Sequence, residues 1–348
     1  MRIAQVAPLF ESVPPHFYGG TERVVSYLTE ELVRLGHQVT LFASGDSVTR
    51  ARLIAGRARA LRLDPRGGDP VAPHVLMLER VCARRHEFDL IHCHVDYLAY
   101  PFARRHRVPT VTTLHGRLDL PHLVDVYEEF RDIPVVSISR AQRAPVPHAN
   151  WVGTVHHGLP EDLLAFHAPP GRYLAFLGRA SPEKRIDRAI EIARRAGMPI
   201  RIAAKVDPVD RQYFAEVVAP LLDQPFIEWL GEIHEAEKGE FLGGAIALLF
   251  PIDWPEPFGL AMIEALACGT PVVAFHAGST PEIIEPGVTG FVVRSIAEAV
   301  EAVRAAARLD RAACRAAFEA RFSVARMARD YLAIYERLTG GGVQRAAR

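Results

Sequence analysis

The sequence predicts two α/β domains, each built on a doubly wound sheet of parallel strands. The chain has 348 residues, which is enough for about two domains at roughly 150 residues each. Short apolar runs alternate with segments of helical periodicity along its whole length, as in βαβ units. The proline-rich stretch LPEDLLAFHAPPGR interrupts this alternation and is typical of a linker. The predicted domains are therefore residues 1–167 and 168–322.

In the first half, the strand IAQVAPL is followed by a predicted helix over residues 21–35. Val24, Leu28 and Leu32 recur there at helical spacing, and Gly36 is expected to end the helix. Further strands are predicted at QVTLFA, DLIHCHV, TVTTLHG and PVVSIS. Two further helices are predicted near residues 75–87 and 119–131.

The second half repeats the scheme. The strand RYLAFLG precedes a predicted helix over residues 186–196, and PIRIAAK, FIEWLG, IALLFP, PVVAF and GFVV continue as strands. The Ala/Arg-rich stretch 297–321 predicts one uninterrupted helix, and SVARMARDYLAIYERL predicts a final amphipathic helix. Residues 341–348 are expected to form a frayed tail.

The composition limits the class of protein. Lys and Arg (41 residues) balance Asp and Glu (41 residues), which argues against nucleic acid as a partner. No apolar run approaches the roughly 18–20 residues of a membrane span, and MRIAQVAPLF lacks the features of a signal peptide. None of the four cysteines stands at C-x-x-C spacing, so neither a zinc ribbon nor a disulfide framework is indicated. We therefore expect a cytoplasmic protein.

Two glycines precede the first helix. The loop FESVPPHFYGGTE ends in Gly19 and Gly20, which let a ligand approach the backbone and meet the positive end of the helix. The loop is not the tight G-x-G-x-x-G turn of a dinucleotide fold. A plain loop-to-helix turn is the alternative interpretation.

The segment WPEPFGLAMIEALACGTPVVAF carries the strongest local signal. Glu256 lies in a loop after a predicted strand, and Pro257 suits the first turn of the following helix. The backbone N–H groups of Phe258, Gly259 and Leu260 are then expected to point at a ligand, which makes an anion site.

Glu264 is embedded in this otherwise apolar helix. A carboxylate buried there without a partner would cost several kcal/mol, so it requires hydrogen-bond donors. Those donors are either protein groups or the hydroxyls of a sugar.

The loop LGRASPEKRID places two cations between a strand and a helix. Arg179 and Lys184 are five residues apart, so a compact loop can aim both at one anion; two solvated surface charges are the alternative. Lys184 is one of only three lysines in a chain that otherwise uses arginine. For the other two, Lys205 and Lys238, we expect replacement by arginine to be nearly silent.

Histidines and acidic pairs give no metal site. His92 and His94 alternate on one face of a strand end, but the sequence does not point to a third ligand, and the same holds for His156 and His157. The chain has no G-x-S-x-G nucleophile elbow and no Asp-x-Asp pair. The latter argues against a metal-dependent diphosphate transferase built on one nucleotide-binding domain.

These motifs together resemble the retaining glycosyltransferases of family 4, also called group 1, which have the GT-B fold. The resemblance covers nearly the whole chain and rests on the Gly19-Gly20 loop, TLHG, VHHGLP, GRASPEK, and Glu256 and Glu264 with seven residues between them. It implies two Rossmann-like domains that face each other across a cleft. It also implies that the last helix, residues 323–340, crosses back to complete the first domain.

The resemblance assigns catalytic roles to His115, Arg179, Lys184 and Glu256. Arg179 and Lys184 would hold the donor diphosphate and stabilise its departure, while His115 would lie beside the transferred sugar. Glu256 would hold the donor sugar. Where the family commonly has Gly after the motif lysine, this chain has Arg185, which is expected to alter the phosphate loop slightly.

The resemblance also assigns donor-binding roles to residues of both domains. Glu264 would bind the ribose hydroxyls of the nucleotide, and the other groups would surround its phosphates. The donor-binding residues are Gly19, Gly20, Phe258, Gly259, Leu260 and Glu264.

The implied function is transfer of a hexose from a UDP-, GDP- or ADP-sugar to an unidentified acceptor, which is a glycan, a lipid-linked sugar or a small metabolite. No metal and no cofactor besides the donor substrate is expected, and membrane contact is at most peripheral. Two alternatives stay open: a non-catalytic protein that binds nucleotide sugars, and a sugar-nucleotide epimerase on the same fold. The epimerase would lack the arrangement of Glu256 and Glu264.

Overall fold

The chain forms two compact units in the computed structural model. Unit 1 contains Met1–Gly158 and the C-terminal segment from Val324, and unit 2 contains Leu159–Ser323. The expected frayed tail at 341–348 lies outside the described residues. The structure describes residues 1–16, 19–64, 68–106, 108–169 and 171–340.

The boundary between the units lies nine residues before the predicted one, between residues 158 and 159 instead of 167 and 168. The proline-rich segment belongs to unit 2 because its backbone is tied there. Leu159 N donates to Phe322 O over 2.9 Å, and the Arg315 guanidinium donates to Leu164 O over 3.0 Å. These bonds hold the segment against the last helix of unit 2.

Unit 1 is built on a seven-stranded parallel sheet in the order β3-β2-β1-β4-β5-β6-β7. Its strands are β1 (Arg2–Val6), β2 (Gln38–Ser44), β3 (Arg52–Arg57), β4 (Leu90–Cys93), β5 (Thr110–Thr113), β6 (Val135–Ser137) and β7 (Trp151–Thr154). The sequence predicts the five inner strands but not β3 and β7. These two are the edge strands, and most of their residues are partly exposed, so the continuous apolar run of a buried strand is missing.

Four helices follow strands of this sheet in the chain. Gly36, at φ 86°, follows the end of the first of them in the left-handed conformation, as the sequence predicts. The next helix begins four residues before its predicted start. The helices are α1 (Gly20–Arg34), α2 (Val71–Ala83), α3 (Tyr100–Arg105) and α4 (Pro121–Glu129).

Unit 2 has a six-stranded parallel sheet in the order β10-β9-β8-β11-β12-β13. Its strands are β8 (Tyr173–Arg179), β9 (Ile200–Lys205), β10 (Ile227–Gly231), β11 (Ala245–Phe250), β12 (Val272–Phe275) and β13 (Gly290–Val293). In both units the chain builds outward from the first strand, then returns and continues on its other side. This is the doubly wound order that the alternation of strands and helices predicts.

The helices of unit 2 are α5 (Ile186–Ala196), α6 (Arg211–Tyr213), α7 (Glu235–Gly243), α8 (Leu260–Ala267), α9 (Thr280–Ile283), α10 (Ile296–Ala306) and α11 (Arg311–Phe322). The helices α5 and α10 bury their apolar residues in one core with β8, β9, β11 and β12. The helices α7 and α8 contact β11 through other residues, so helices cover both faces of the sheet.

The prediction of one helix over residues 297–321 is wrong. The stretch forms α10 and α11, and the chain turns between them at Asp310. The Asp310 carboxylate accepts a hydrogen bond from Ala312 N over 2.9 Å and caps the second helix.

The final helix α12 (Val324–Leu338) belongs to unit 1, which confirms that the end of the chain completes the first domain. It packs against α1 and buries the rings of Tyr331 and Tyr335 completely. The Tyr331 hydroxyl lies 2.9 Å from Thr113 Oγ1, and the Tyr335 hydroxyl lies 2.7 Å from His92 Nδ1. The helix is therefore fastened to β4 and β5 by buried polar contacts.

Two glycines at and just before the start of β13 differ in the space around their backbone. Gly287 and Gly290 both have positive φ, at 80° and 151°. A Cβ at Gly290 would lie 1.9 Å from Val272 O, whereas a Cβ at Gly287 would meet no atom within 4 Å. We expect Gly287→Ala to lower the free energy of unfolding by about 1 kcal/mol and Gly290→Ala to lower it by at least about 3 kcal/mol. Urea titration of the two variants checks this, and equal losses would contradict the backbone contact.

Candidate functional site

The order of strands in unit 2 reverses between β8 and β11. The helix that follows β8 packs on one face of the sheet, and the helix that follows β11 packs on the other. The two loops therefore diverge from neighbouring strand ends and leave a crevice between them. Ligands bind at this point in open parallel sheets. The predicted loops with Arg179 and Lys184, and with Glu256, are the two loops at this crevice.

The first loop makes one turn of 3₁₀ helix, Pro182–Lys184, and then enters α5 through Arg185. Arg185 has φ 56° and ψ 55°, the left-handed conformation that favours glycine. Its guanidinium holds Asp187 Oδ2 at 2.8 Å and Asp253 Oδ2 at 2.7 Å. The two carboxylates thus hold the side chain of a residue whose backbone takes a conformation that favours glycine.

Lys184 and Glu256 form an ion pair across the crevice, and both side chains are largely buried. Glu256 Oε2 also accepts a hydrogen bond from Trp254 Nε1 over 2.9 Å. The Lys184 ammonium lies 5.6 Å from the ring centroid of Phe250 and 5.3 Å from that of Trp254. A carboxylate and two aromatic faces therefore enclose this cation. The sequence did not single out Trp254, although it stands two residues before Glu256.

Arg179 lies at the end of β8 and contacts a group of three carboxylates. Its guanidinium donates to Glu183 over 2.6 Å and lies 3.7 Å from Asp207 and 3.6 Å from Asp210. Burial raises the pKa of the Asp210 carboxyl, and the charge of Arg179 opposes that rise. The sequence missed both aspartates, which follow β9 and reach Arg179 only because β8 and β9 are neighbours.

Lys205 and Lys238 also contact carboxylates near the predicted site. Lys205 Nζ lies 3.0 Å from Asp207, which itself contacts Arg179. Lys238 Nζ donates to Glu264 Oε1 over 2.7 Å. The side chain of Lys238 is largely buried in this contact.

The helix α8 begins at Leu260, three residues after the predicted start at Pro257. Gly259 has φ 86° and ends the preceding loop, and a Cβ there would lie 2.8 Å from Met262 Cε. The Phe258 ring is buried in the core of unit 2. The first-turn backbone amides of a helix have no acceptors within the helix. In α8 these amides therefore begin at Leu260, later in the chain than the sequence predicts.

The loop after β12 supports the Glu256 loop from behind. Ser279 N donates to Glu256 O over 3.0 Å, and Ser279 Oγ donates to Phe258 O over 2.7 Å. A Cβ on Gly278 would lie 2.3 Å from Glu256 O. Only a residue without a side chain fits this contact, so Gly278 helps to position Glu256. No local pattern around Gly278 predicts this role.

In unit 1, Gly19 and Gly20 lie at the start of α1. Gly19 is extended at φ 174°, and its carbonyl accepts the first helical bond from Arg23 N over 3.1 Å. A Cβ on Gly19 would lie 2.8 Å from Pro15 Cβ, so the loop packs closely on itself there. Gly20 is the first residue of the helix.

His115 follows β5, is partly buried, and joins the buried histidines His94 and His157 in unit 1. His115 Nε2 lies 2.8 Å from His94 Nδ1, and His94 Nε2 lies 2.8 Å from Gln5 Oε1. The His157 ring stacks on His115 at 5.3 Å between centroids. Since Gln5 Oε1 only accepts, His94 donates from Nε2, accepts at Nδ1, and receives the proton of His115 Nε2. His115 Nδ1 is then an acceptor, and it has no partner among the described residues.

Burial keeps these imidazoles neutral. It lowers the pKa of His115 to about 3 and lowers the pKa values of His92, His94 and His157 well below the usual value. Neighbouring histidines add to the last three shifts. This group therefore offers hydrogen bonds without charge at neutral pH, in contrast to the ion pairs of unit 2.

The predicted site residues divide between the units. Gly19, Gly20 and His115 belong to unit 1, and the others belong to unit 2. Within the described part of the chain, no group of three or more His, Cys, Asp or Glu side chains is arranged to hold a metal ion. None of the described helices combines the length and apolar character that a membrane span requires.

Two family models match the chain, one on each half. The model described as "Glycosyltransferase Family 4" matches residues 18–175, and the model described as "Glycosyl transferases group 1" matches residues 166–317. The second match contains the loops that follow β8 and β11.

Relatives of similar length also match. A glycosyltransferase of Methanocaldococcus jannaschii is 25% identical over 343 residues, covering 84% of this chain and 85% of the relative. The crystal structure of a glycosyltransferase involved in avilamycin A biosynthesis has a TM-score of 0.76 at 24% identity, covering 98% of this chain and 99% of that one. The structure of HepE from Anabaena in complex with UDP and glucose has a TM-score of 0.73 at 18% identity, covering 97% and 100%.

The buried histidines predict that unit 1 loses stability in acid. The pKa of His115 is about 3 in the folded chain and about 6.5 in an unfolded one, so its stabilising effect is complete above pH 6.5 and is lost as the pH falls toward 3. Between pH 7 and pH 5 this linkage removes roughly 2 kcal/mol. We expect His115→Asn to weaken the pH dependence of the unfolding free energy by about that amount.

The measurement is urea unfolding at pH 7 and pH 5, followed by Trp151 fluorescence in a background where Trp229 and Trp254 are replaced by Phe. His86→Asn is the matched control because His86 is exposed. An unchanged pH dependence in His115→Asn would contradict a neutral, buried imidazole.

Proposed function

The chain belongs to the group 1 glycosyltransferases of family 4, and from this we propose that it is a retaining enzyme that transfers a hexose from a nucleotide sugar to a hydroxyl acceptor without a metal ion. The fold is GT-B. UDP is the first nucleotide to test, because the similar HepE was crystallised with UDP and glucose. The acceptor belongs to the broad set of glycans, lipid-linked sugars and small metabolites.

The observation that carries this proposal is the ion pair of Lys184 and Glu256 at the reversal of strand order. The pair joins the Lys184 ammonium, a cation that can bind phosphate oxygens, to the Glu256 carboxylate, which can accept hydrogen bonds from sugar hydroxyls. Both side chains are largely buried, so each would be costly to leave unpaired. A ligand with a diphosphate next to a hexose satisfies both groups at once.

We infer that donor binding exchanges the partners of this pair. A diphosphate oxygen replaces Glu256 on the Lys184 ammonium, which keeps the cation compensated. Glu256 stays oriented by its hydrogen bond from Trp254 Nε1 and accepts hydroxyl groups of the hexose. The exchange lets one compact site serve both the ligand-free and the donor-bound state.

Arg179 supplies the second cation of the proposed diphosphate site. Glu183, Asp207 and Asp210 surround its guanidinium and fix its plane. An arginine has five N–H donors, so it can keep contacts with these carboxylates while it donates to a phosphate. The amides at the start of α8, beginning with Leu260, add partial positive charge.

The other donor contacts follow from the family. Glu264 accepts hydrogen bonds from the ribose, and the amides of Phe258 and Gly259 lie next to the phosphates. The family resemblance also assigns Gly19, Gly20 and His115 to the donor. His115 Nδ1 has no partner among the described residues and is an acceptor that suits a sugar hydroxyl.

The reaction breaks the bond between C1 of the hexose and the diphosphate oxygen. Negative charge grows on the leaving phosphate, and Lys184, Arg179 and the helix amides lower the barrier by stabilising it. The acceptor oxygen bonds to C1 on the face that the phosphate leaves, and its proton passes to the leaving phosphate oxygen. The configuration at C1 is therefore retained, and no carboxylate has to act as a nucleophile.

The test begins with the nucleotide. Thermal denaturation in the presence of UDP, GDP or ADP identifies the base, and slow hydrolysis of the corresponding sugar nucleotides identifies the sugar.

We expect the rate of hydrolysis to stay within about twofold in EDTA, because fixed cations replace a metal at the diphosphate. Complete loss in EDTA that manganese restores would overturn the metal-free mechanism, and stabilisation by none of the three nucleotides would overturn the donor class.

Lys184 provides a sharper prediction. A planar guanidinium is larger than an ammonium and does not fit between the rings of Phe250 and Trp254 while it also meets a phosphate. We expect Lys184→Arg to lower kcat/KM for donor hydrolysis about tenfold or more, roughly 1.4 kcal/mol of transition-state stabilisation, and Lys184→Ala to lower it further. Lys205→Arg is the control and should leave kcat/KM for donor hydrolysis nearly unchanged. Wild-type kinetics in Lys184→Arg would show that charge alone suffices.

A further inference from the structure

A second buried lysine lies beside the second functional glutamate. Lys238 stands in the first turn of α7, which His234 caps together with Glu237. Its Nζ lies 2.7 Å from Glu264 Oε1 and 3.1 Å from Glu235 Oε2. The contact with Glu264 joins two helices, α7 and α8, that flank β11 in the chain.

We propose that Lys238 is a positioning residue that holds Glu264 for the nucleotide ribose. The inference rests on the proposed function, in which Glu264 accepts hydrogen bonds from the ribose. Lys238 itself does not contact the nucleotide in this proposal. It acts on the donor only through the charge and the orientation of the Glu264 carboxylate.

The environment of Glu264 requires such a partner. The residue is only 3% exposed, and its helix neighbours Ile263 and Ala265 are fully buried. A buried carboxylate without a compensating cation is costly, so its orientation depends on the partner that it finds. The Lys238 ammonium supplies that cation and holds the Glu264 carboxylate in place.

The geometry also selects which oxygen remains for the ligand. Lys238 engages Glu264 Oε1, and Oε2 has no hydrogen-bond partner among the described residues. One oxygen is therefore fixed by the protein and the other is left to accept from a ribose hydroxyl. Because an ammonium has three donors, Lys238 can hold Glu235 and Glu264 at the same time.

A structural ion pair would produce the same contacts, so the experiment has to separate fold from ribose recognition. The probes are the nucleoside diphosphate that stabilises the wild type best, its 2′,3′-dideoxy analogue, and inorganic diphosphate. Affinities are measured by calorimetry on the full chain for the wild type, Lys238→Met and Glu235→Gln. The last variant removes the other carboxylate on Lys238 and leaves its contact with Glu264.

We expect Lys238→Met to lower the affinity for the ribose-containing ligand about tenfold, the size of one charge-assisted hydrogen bond. The affinities for the dideoxy analogue and for inorganic diphosphate should not change. Glu235→Gln should leave all three affinities unchanged. Equal weakening of all three ligands by Lys238→Met, or no weakening of the ribose-containing one, overturns the proposal. A wild type that binds none of the nucleoside diphosphates overturns the proposed function instead.

A second comparison holds even if Lys238→Met alone does not fold. Replacing both partners of a buried pair with apolar residues is often tolerated, so Glu264→Leu is compared with the double variant Lys238→Met/Glu264→Leu. If Lys238 acts only through Glu264, the two variants bind the nucleoside diphosphate equally. Weaker binding by the double variant would show a direct contact of Lys238 with the ligand and would overturn the positioning role.

Discussion

The reversal of strand order between β8 and β11 is the constraint on which the candidate site depends. Because α5 and α8 leave neighbouring strand ends toward opposite faces of the sheet, neither helix covers the space between them. The loops that begin there have to satisfy each other, and they do so with the pair of Lys184 and Glu256. The loop of Gly278 after β12 packs on the backbone of Glu256 and so supports the loop that carries that carboxylate.

Charge pairing then decides how this site meets a ligand. Glu256 is paired with Lys184, and Glu264 is paired with Lys238. A buried charge without a partner is strongly destabilising, so a ligand has to take over a pairing instead of filling an empty one. A neutral sugar could not take the place of Glu256 on the Lys184 ammonium, whereas a diphosphate can. The pairs therefore favour ligands that bring anionic and hydroxyl groups together, as a nucleotide sugar does.

Local patterns in the sequence predicted the parts of the structure that depend on local physics. The helix Ile186–Ala196 has the predicted bounds, because its apolar face and the following Gly197 are both encoded within a few turns. The spacing of Glu256 and Glu264 likewise marked the site through one helix. What the sequence missed depends on strand order: Lys238 stands 26 residues before Glu264, and only the packing of α7 against α8 brings them together. Asp207 reaches Arg179 for the same kind of reason.

The distribution of lysine and arginine follows from the same pairing. The chain has three lysines, and each contacts a carboxylate in unit 2. A compact ammonium can lie between two aromatic rings, as Lys184 does, or serve two carboxylates from different directions, as Lys238 does. A guanidinium presents its donors in one plane and suits the pairs that Arg179 makes with Glu183 and Arg185 makes with Asp187. In a chain so rich in arginine, Lys184 and Lys238 are thus two ammonium groups whose contacts diverge from a single enclosed point.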